Sequence, residues 1–260
     1  MSKAALPLAA LLTDFGAASV YPAVMKGVML GLAPSARIVD FSHAVAAGDI
    51  RGAAFALMTG ASFFPEGTLF VCVVDPDVGT SRKIVWAKSC GREFLAPDNG
   101  LLGWLGKGDA VFDEIRSVEN GELFLAPLSG TFHGRDIFAP VAAALLNGFA
   151  REKLGPRLKD MKRLPFPKPR ELAGGKLEGE ILFRDSFGNC ITNVSIVQAQ
   201  GKSAYFRGIK IGPALKSYGF AASGQAAAVE SSSGFVELAV NGWNFAEKFR
   251  ADTGDKVVFK

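Results

Sequence analysis

Three short apolar runs, residues 8–12, 37–41 and 68–74, alternate with stretches whose apolar residues recur at helical spacing. That alternation constrains the fold more than any other feature. Strands separated by helix-length segments build a layered α/β domain, so the three runs are expected to be buried strands. Between the second and third, Ile50, Ala53, Ala54, Leu57, Met58 and Ala61 fall on one helix face, and Asp49 stands where an N-cap belongs. A second helix is expected over residues 21–32, with Val24, Val28 and Leu32 inward and Pro34 ending it. A third starts near Arg135, carries Ile137, Phe138, Val141 and Leu145 as its stripe, and stops at Asn147-Gly148.

From Pro156 to Gly175 the chain turns to Lys, Arg, Pro and Gly with no apolar period, which marks a boundary between a first domain, 1–160, and a second, 175–260. Beyond it, residues 180–185, 191–196, 203–211, 226–230, 235–240 and 256–260 are short strand-like runs separated by Gly, Ser and Asn. The fold class read from this pattern is an N-terminal layered α/β domain plus a smaller C-terminal all-β, barrel-like domain. A hydrophobic content of 49% against 21% charged residues excludes a disordered chain. The net charge of +4 comes from scattered lysines and arginines. The one dense basic run, between Arg157 and Arg170, is proline-rich and reads as a solvated linker, so no nucleic-acid partner is expected. Cys72, Cys90 and Cys190 lack metal-ligand spacing and read as small core residues in a reducing cytoplasm. Lys3 and the apolar residues up to Leu12 faintly imitate a secretion signal, but they run straight into Thr13-Asp14 without a small-x-small cleavage site, so a buried first strand is expected there. No stretch reaches the ~20 apolar residues of a membrane helix.

Charged groups that close an apolar strand carry the most information, because loops at the carboxyl edge of an α/β sheet are where such folds hold ligands. Three segments qualify: Thr13-Asp14-Phe15-Gly16, the loop from Asp75 to Arg82, and Thr131-Phe132-His133-Gly134-Arg135-Asp136. Each also has a plain structural explanation. Asp14 can cap a turn, Asp75 and Arg82 can brace a loop as an ion pair, and Arg135-Asp136 can cap a helix. The chain has two histidines. His133 lies in one of these loops, whereas His43 reads as turn-stabilising, satisfied by Asp40 and Ser42. Glycine-rich dinucleotide and P-loop signatures, a Gly-x-Ser-x-Gly elbow and a His-Glu-x-x-His pair are all missing from the sequence. Neither a protein metal site nor a bound cofactor is expected.

Together with Phe63-Phe64-Pro65-Glu66-Gly67-Thr68, Pro97-Asp98-Asn99-Gly100, Ile137-Phe138-Ala139-Pro140 and the Asp185, Phe187-Gly188-Asn189, Thr192-Asn193 block, these segments closely resemble the S-adenosyl-L-methionine (SAM) hydrolases, or SAM hydroxide adenosyltransferases. These are relatives of the SAM-dependent fluorinase and chlorinase. The resemblance implies a homotrimer whose sites lie between the N-domain of one subunit and the C-domain of its neighbour, with SAM as substrate, adenosine and methionine as products, and no membrane partner. It implies that Asp14 holds the ribose hydroxyls and that Asp75, Arg82 and His133 activate water. It also implies that Asp185 lies near the methionine ammonium, Phe187 and Asn189 at the adenine, and Ser232 at the methionine end. The halogenases carry a tyrosine at the position of Asp75, a tryptophan at Gly48 and an arginine at Ser233. Hydrolases usually have a glycine at Asp77, where aspartate tolerates a left-handed turn.

The residue at position 75 bears on which nucleophile is used. A carboxylate ~4 Å from a bound halide opposes it by about 4 kcal/mol at an effective dielectric of ~20. The same carboxylate assists water by orienting Arg82 and His133. The reaction so implied is in-line attack of activated water on the ribose C5′ of SAM, with His133 acting as base or as donor. A halide transferase and a non-catalytic SAM- or adenosine-binding protein are the alternative readings.

Overall fold

The computed structural model describes residues 7–260, so Lys3 lies outside the described residues. The chain divides into two compact units, Met1–Pro165 and Phe166–Lys260.

The first unit is built on a six-stranded sheet of order β2-β1-β3-β5-β4-β6. Its strands are β1 (Leu8–Thr13), β2 (Arg37–Ser42), β3 (Leu69–Val73), β4 (Ile84–Ser89), β5 (Arg92–Pro97) and β6 (Glu114–Ser117). β2, β1, β3 and β5 run parallel, and β4 pairs antiparallel with both of its neighbours. Successive residues of a strand point to opposite faces, and the core divides accordingly. Ala9, Leu11, Val71 and Val73 belong to one apolar cluster; Ala10, Leu12, Phe70 and Cys72 belong to the other. Helices α1 (Tyr21–Leu32) and α3 (Ala139–Leu146) cover the first face, and α2 (Ile50–Gly60) covers the second.

The Asp49 side chain caps α2 as expected, accepting the Gly52 amide at 2.8 Å. Two expectations are corrected here. The buried face of α1 is Pro22, Met25 and Met29, with Val28 half-buried against the same cluster as expected, while Leu32 is exposed, because the long methionine side chains take the space above the sheet. The second apolar run is an edge strand and largely exposed, since β2 has a neighbour on one side alone.

In the second unit the strands are β7 (Arg170–Leu172), β8 (Lys176–Arg184), β9 (Cys190–Ser195), β10 (Ser203–Phe206), β11 (Ile209–Leu215), β12 (Ala226–Glu230), β13 (Phe235–Val240) and β14 (Lys256–Phe259). Pairing of β14 with β8 closes seven of them into a barrel, with β7 added outside β8. The barrel core is Leu177, Ile181, Val194, Phe206, Val236, Leu238, Phe245 and Phe259 with their neighbours. The single run expected over 203–211 is a hairpin, reversed at Arg207-Gly208, both at positive φ. Cys72 and Cys190 are buried, and burial pushes the Cys190 thiol up to about 12, so both are inert. Cys90 departs from the expectation: it is exposed, in the β4–β5 turn at φ 48°. Among the described residues no helix is long and apolar enough to cross a membrane.

Candidate functional site

The connection from β1 to β2 through α1 and the connection from β2 to β3 through α2 lie on opposite faces of the sheet. The carboxyl ends of β1 and β3 are therefore a topological switch point, where open α/β sheets form a ligand crevice. Thr13 lies opposite Val73 in the ladder, so Asp14 and Asp75 leave neighbouring strand ends. Asn99 fixes the end of β3: its side-chain amide donates to the Val74 carbonyl at 2.8 Å, and its oxygen accepts the Leu101 amide. Asp14 accepts the Gly48 amide at 2.8 Å. Gly48 sits at φ +71° beside Pro76, so the loop before α2 bridges both strand ends.

Asp75, Arg82 and His133 come together here. Arg82 Nε donates to Asp75 Oδ2 at 2.7 Å, and Nη2 reaches the same oxygen at 2.5 Å. Nη2 also donates to His133 Nδ1 at 2.9 Å. The Asp75 and Arg82 side chains are 3% and 5% exposed. Breaking such a buried pair by removing one partner costs about 3–5 kcal/mol, because the other charge is left uncompensated. Both guanidinium contacts fall on one carboxylate oxygen. The other, Asp75 Oδ1, is buried and accepts no hydrogen bond from the described residues.

A guanidinium only donates, so His133 Nδ1 accepts and the neutral ring carries its proton on Nε2. Burial and then the Arg82 charge hold this imidazole below its ordinary 6.5, against the opposing pull of Asp75 and Asp136. His43, by contrast, is absorbed structurally. Its Nε2 meets Asp40 Oδ1 and its Nδ1 meets the Thr13 hydroxyl, each at 2.8 Å, so Thr13 takes the part expected of Ser42. Asp77 has an ordinary φ, and Gly79 is the left-handed residue of its loop.

The second unit carries a cavity of about 780 Å³, lined by Asp185, Phe187, Asn189 and Ser232 among others. Asp185 organises its own turn. Its Oδ1 accepts the amides of Phe187 and Asn189, and its Oδ2 accepts the Asn189 side-chain amide at 3.0 Å. Phe187 is thereby presented to solvent rather than to the core.

Glu237 and Tyr218 also line this cavity and were missed in the sequence. Glu237 is 5% exposed, and the Tyr218 hydroxyl donates to its Oε1. Burial raises the Glu237 carboxyl, the neighbouring Asp185 charge adds to this, and the Tyr218 hydrogen bond opposes it. A glutamate in the middle of the otherwise apolar strand β13 was the available signal.

Comparison with known proteins agrees with these motifs. The family model described as SAM hydroxide adenosyltransferase N-terminal domain matches residues 9–155, and the corresponding C-terminal domain matches residues 179–258. A protein of Thermus thermophilus named (R)-S-adenosyl-L-methionine hydrolase is 38% identical over 88% of this chain and 90% of its own length. A protein of Actinoplanes sp. named Fluorinase is 32% identical over 72% of each chain. The crystal structure of an uncharacterized conserved protein from Thermotoga maritima superposes with a TM-score of 0.87 at 35% identity, over 96% of this chain and 99% of that one. The chain belongs to the SAM hydroxide adenosyltransferase family, with both of the family's domains present.

Proposed function

We propose that this protein hydrolyses SAM to adenosine and L-methionine by in-line attack of water on the ribose C5′. The observation that carries this reading is the unpaired, buried Asp75 Oδ1 beside Arg82 and His133. A buried acceptor without a donor costs about 1–3 kcal/mol. Water supplies a donor to such an oxygen, and a halide supplies none. Relatives of this chain are named both hydrolase and fluorinase, and this oxygen favours water.

In the mechanism, Asp75 accepts a water proton and Arg82 keeps the carboxylate in place. His133, as the Nε2–H tautomer, serves as a donor that orients the water rather than as its base. The oxygen lone pair forms the O–C5′ bond while the C5′–S bond breaks, and its electron pair returns to sulfur. A sulfonium thus leaves as a neutral thioether. Charge is neutralised along the reaction coordinate, and orientation of the nucleophile supplies the larger part of the acceleration.

Asp14 is assigned to the ribose hydroxyls, and Asp185, Phe187, Asn189 and Ser232 to the remainder of the substrate. The homotrimer that the resemblance implies is part of this proposal, and light scattering tests it. The activity test is incubation of pure protein with SAM in ¹⁸O-labelled water. Label in the adenosine 5′-hydroxyl is the expected result. A 5′-halo-5′-deoxyadenosine formed only with added chloride or fluoride, or no product at all, overturns the proposal.

A further inference from the structure

Asp136 is a buried carboxylate that the proposed reaction leaves unused. Its side chain is 1% exposed, and its oxygens are held from two directions. Arg135 Nε donates to Oδ1 at 2.5 Å and Nη2 to Oδ2 at 3.0 Å. The Ser129 amide donates to Oδ2 at 2.8 Å. Its carbonyl accepts the Leu125 amide at 2.8 Å. Residues 129–136 are thereby tied into a closed loop that contains His133.

The loop is fastened elsewhere as well. The Arg135 guanidinium lies 5.4 Å from the centroid of the Phe132 ring, and Phe132 packs edge-on against Phe15, next to Asp14. Residues Gly134–Phe138 form a π-helical turn that starts directly after His133. Such turns put one residue more than an α-turn between successive contacts, and they recur at functional sites.

We propose that Asp136 is a positioning residue for His133: by clamping the Ser129 amide and the Arg135 guanidinium it fixes the π-turn that presents Nδ1 to Arg82. The alternative is a purely structural acid at a helix start, which favours the helix dipole and affects stability alone. The two differ in what they do to the ring. His133 is surrounded by Arg82 and Asp75 from the loop after β3 and by Arg135 and Asp136 from its own segment. The Asp136 charge favours protonation of the ring, and the Arg82 charge and burial disfavour it.

The consequence for catalysis rests on the hydrolysis proposed above; the hold on the ring does not. With two histidines in the chain, ¹⁵N-histidine NMR of the full-length protein follows each imidazole separately, and His133→Gln assigns them. In Asp136→Asn the His133 midpoint is expected to fall by roughly half a pH unit or more, since an anionic neighbour is lost and Arg135 is left uncompensated. In Arg135→Gln it is expected to rise. Should Asp136→Asn fail to fold, Arg135→Gln decides alone, because that side chain is partly exposed. A His133 midpoint that stays in place, or moves the same way in both variants, overturns the proposal. Adenosine formation by Asp136→Asn is expected to drop on the order of tenfold to a hundredfold with KM little changed. If the unsubstituted protein makes no adenosine, the hydrolysis reading falls while the titrations still decide the role of Asp136.

Discussion

A Cβ placed on Gly79 would lie 2.3 Å from the carbonyl oxygen of Gly130. The loop that carries Asp75 and Arg82 and the loop that leads to His133 therefore meet backbone to backbone. Gly79 also sits at φ +81°, where a side chain is strained even in open space. Gly79→Ala is expected to separate the loops and destabilise the protein by about 1–3 kcal/mol. Adenosine formation should fall further than that stability loss explains. Denaturant unfolding and SAM turnover on one preparation measure both.

Asp75→Asn keeps the size of the side chain and removes its charge. Turnover is expected to drop about 10²–10⁴-fold, the usual range for losing a positioned proton acceptor, while SAM affinity by calorimetry stays within a few-fold. Equal losses in turnover and affinity would assign Asp75 to substrate binding instead.

His133 sets an acid limb. Its folded value lies below 6.5, so the unfolded chain binds the proton more readily. Its contribution to stability is complete above about pH 6.5 and is lost as pH falls through the folded value. Protonation also places a hydrogen on Nδ1, where Arg82 already donates. Activity is expected to fall on the same acid limb, and His133→Gln should remove that limb from the stability profile. Urea midpoints taken at intervals from pH 5 to 8 follow it.

Glu237 behaves in the opposite sense. Its carboxyl is raised above the ordinary 4.5 by burial, so the folded state holds the proton more tightly and stability declines as pH rises through the folded value. Glu237→Gln is expected to abolish that decline. Tyr218→Phe, which removes the donor and leaves the buried acid, is expected to cost about 1–3 kcal/mol at neutral pH.

Trp243 is the one solvent-facing tryptophan, 61% exposed at the barrel cavity, whereas Trp86 and Trp104 are buried. Adenosine or SAM should quench its fluorescence, and Trp243→Phe should remove the response while the far-UV spectrum stays unchanged. A full response in that variant would place the ligand elsewhere.

Much of this was legible in the residues. Asp49 capping α2 and the period from Ile50 to Ala61 are local, and local signals survive folding. The loop motifs singled out the segments that carry Asp75, Arg82 and His133, each of which alone also had a plain structural explanation, and the family resemblance joined the three residues into one set. What escaped depends on the third dimension. The buried face of α1 was misplaced because valine and methionine compete for one space and the sequence does not say which wins. The use of a single Asp75 oxygen and the tautomer of His133 follow from distances, which no spacing encodes. Glu237 and Tyr218 are 19 residues apart and meet through a barrel whose register was not readable beforehand.

Closure of the barrel through β14 and β8 has a consequence for solubility. Ring closure leaves no long row of free amides and carbonyls to template a neighbouring molecule. The exposed rim falls to β7, three residues long and bearing Arg170 and Glu171. Short charged margins of this kind pair poorly with other chains. This unit is therefore guarded against fibril-like stacking by its closed topology together with the short charged strand at its margin.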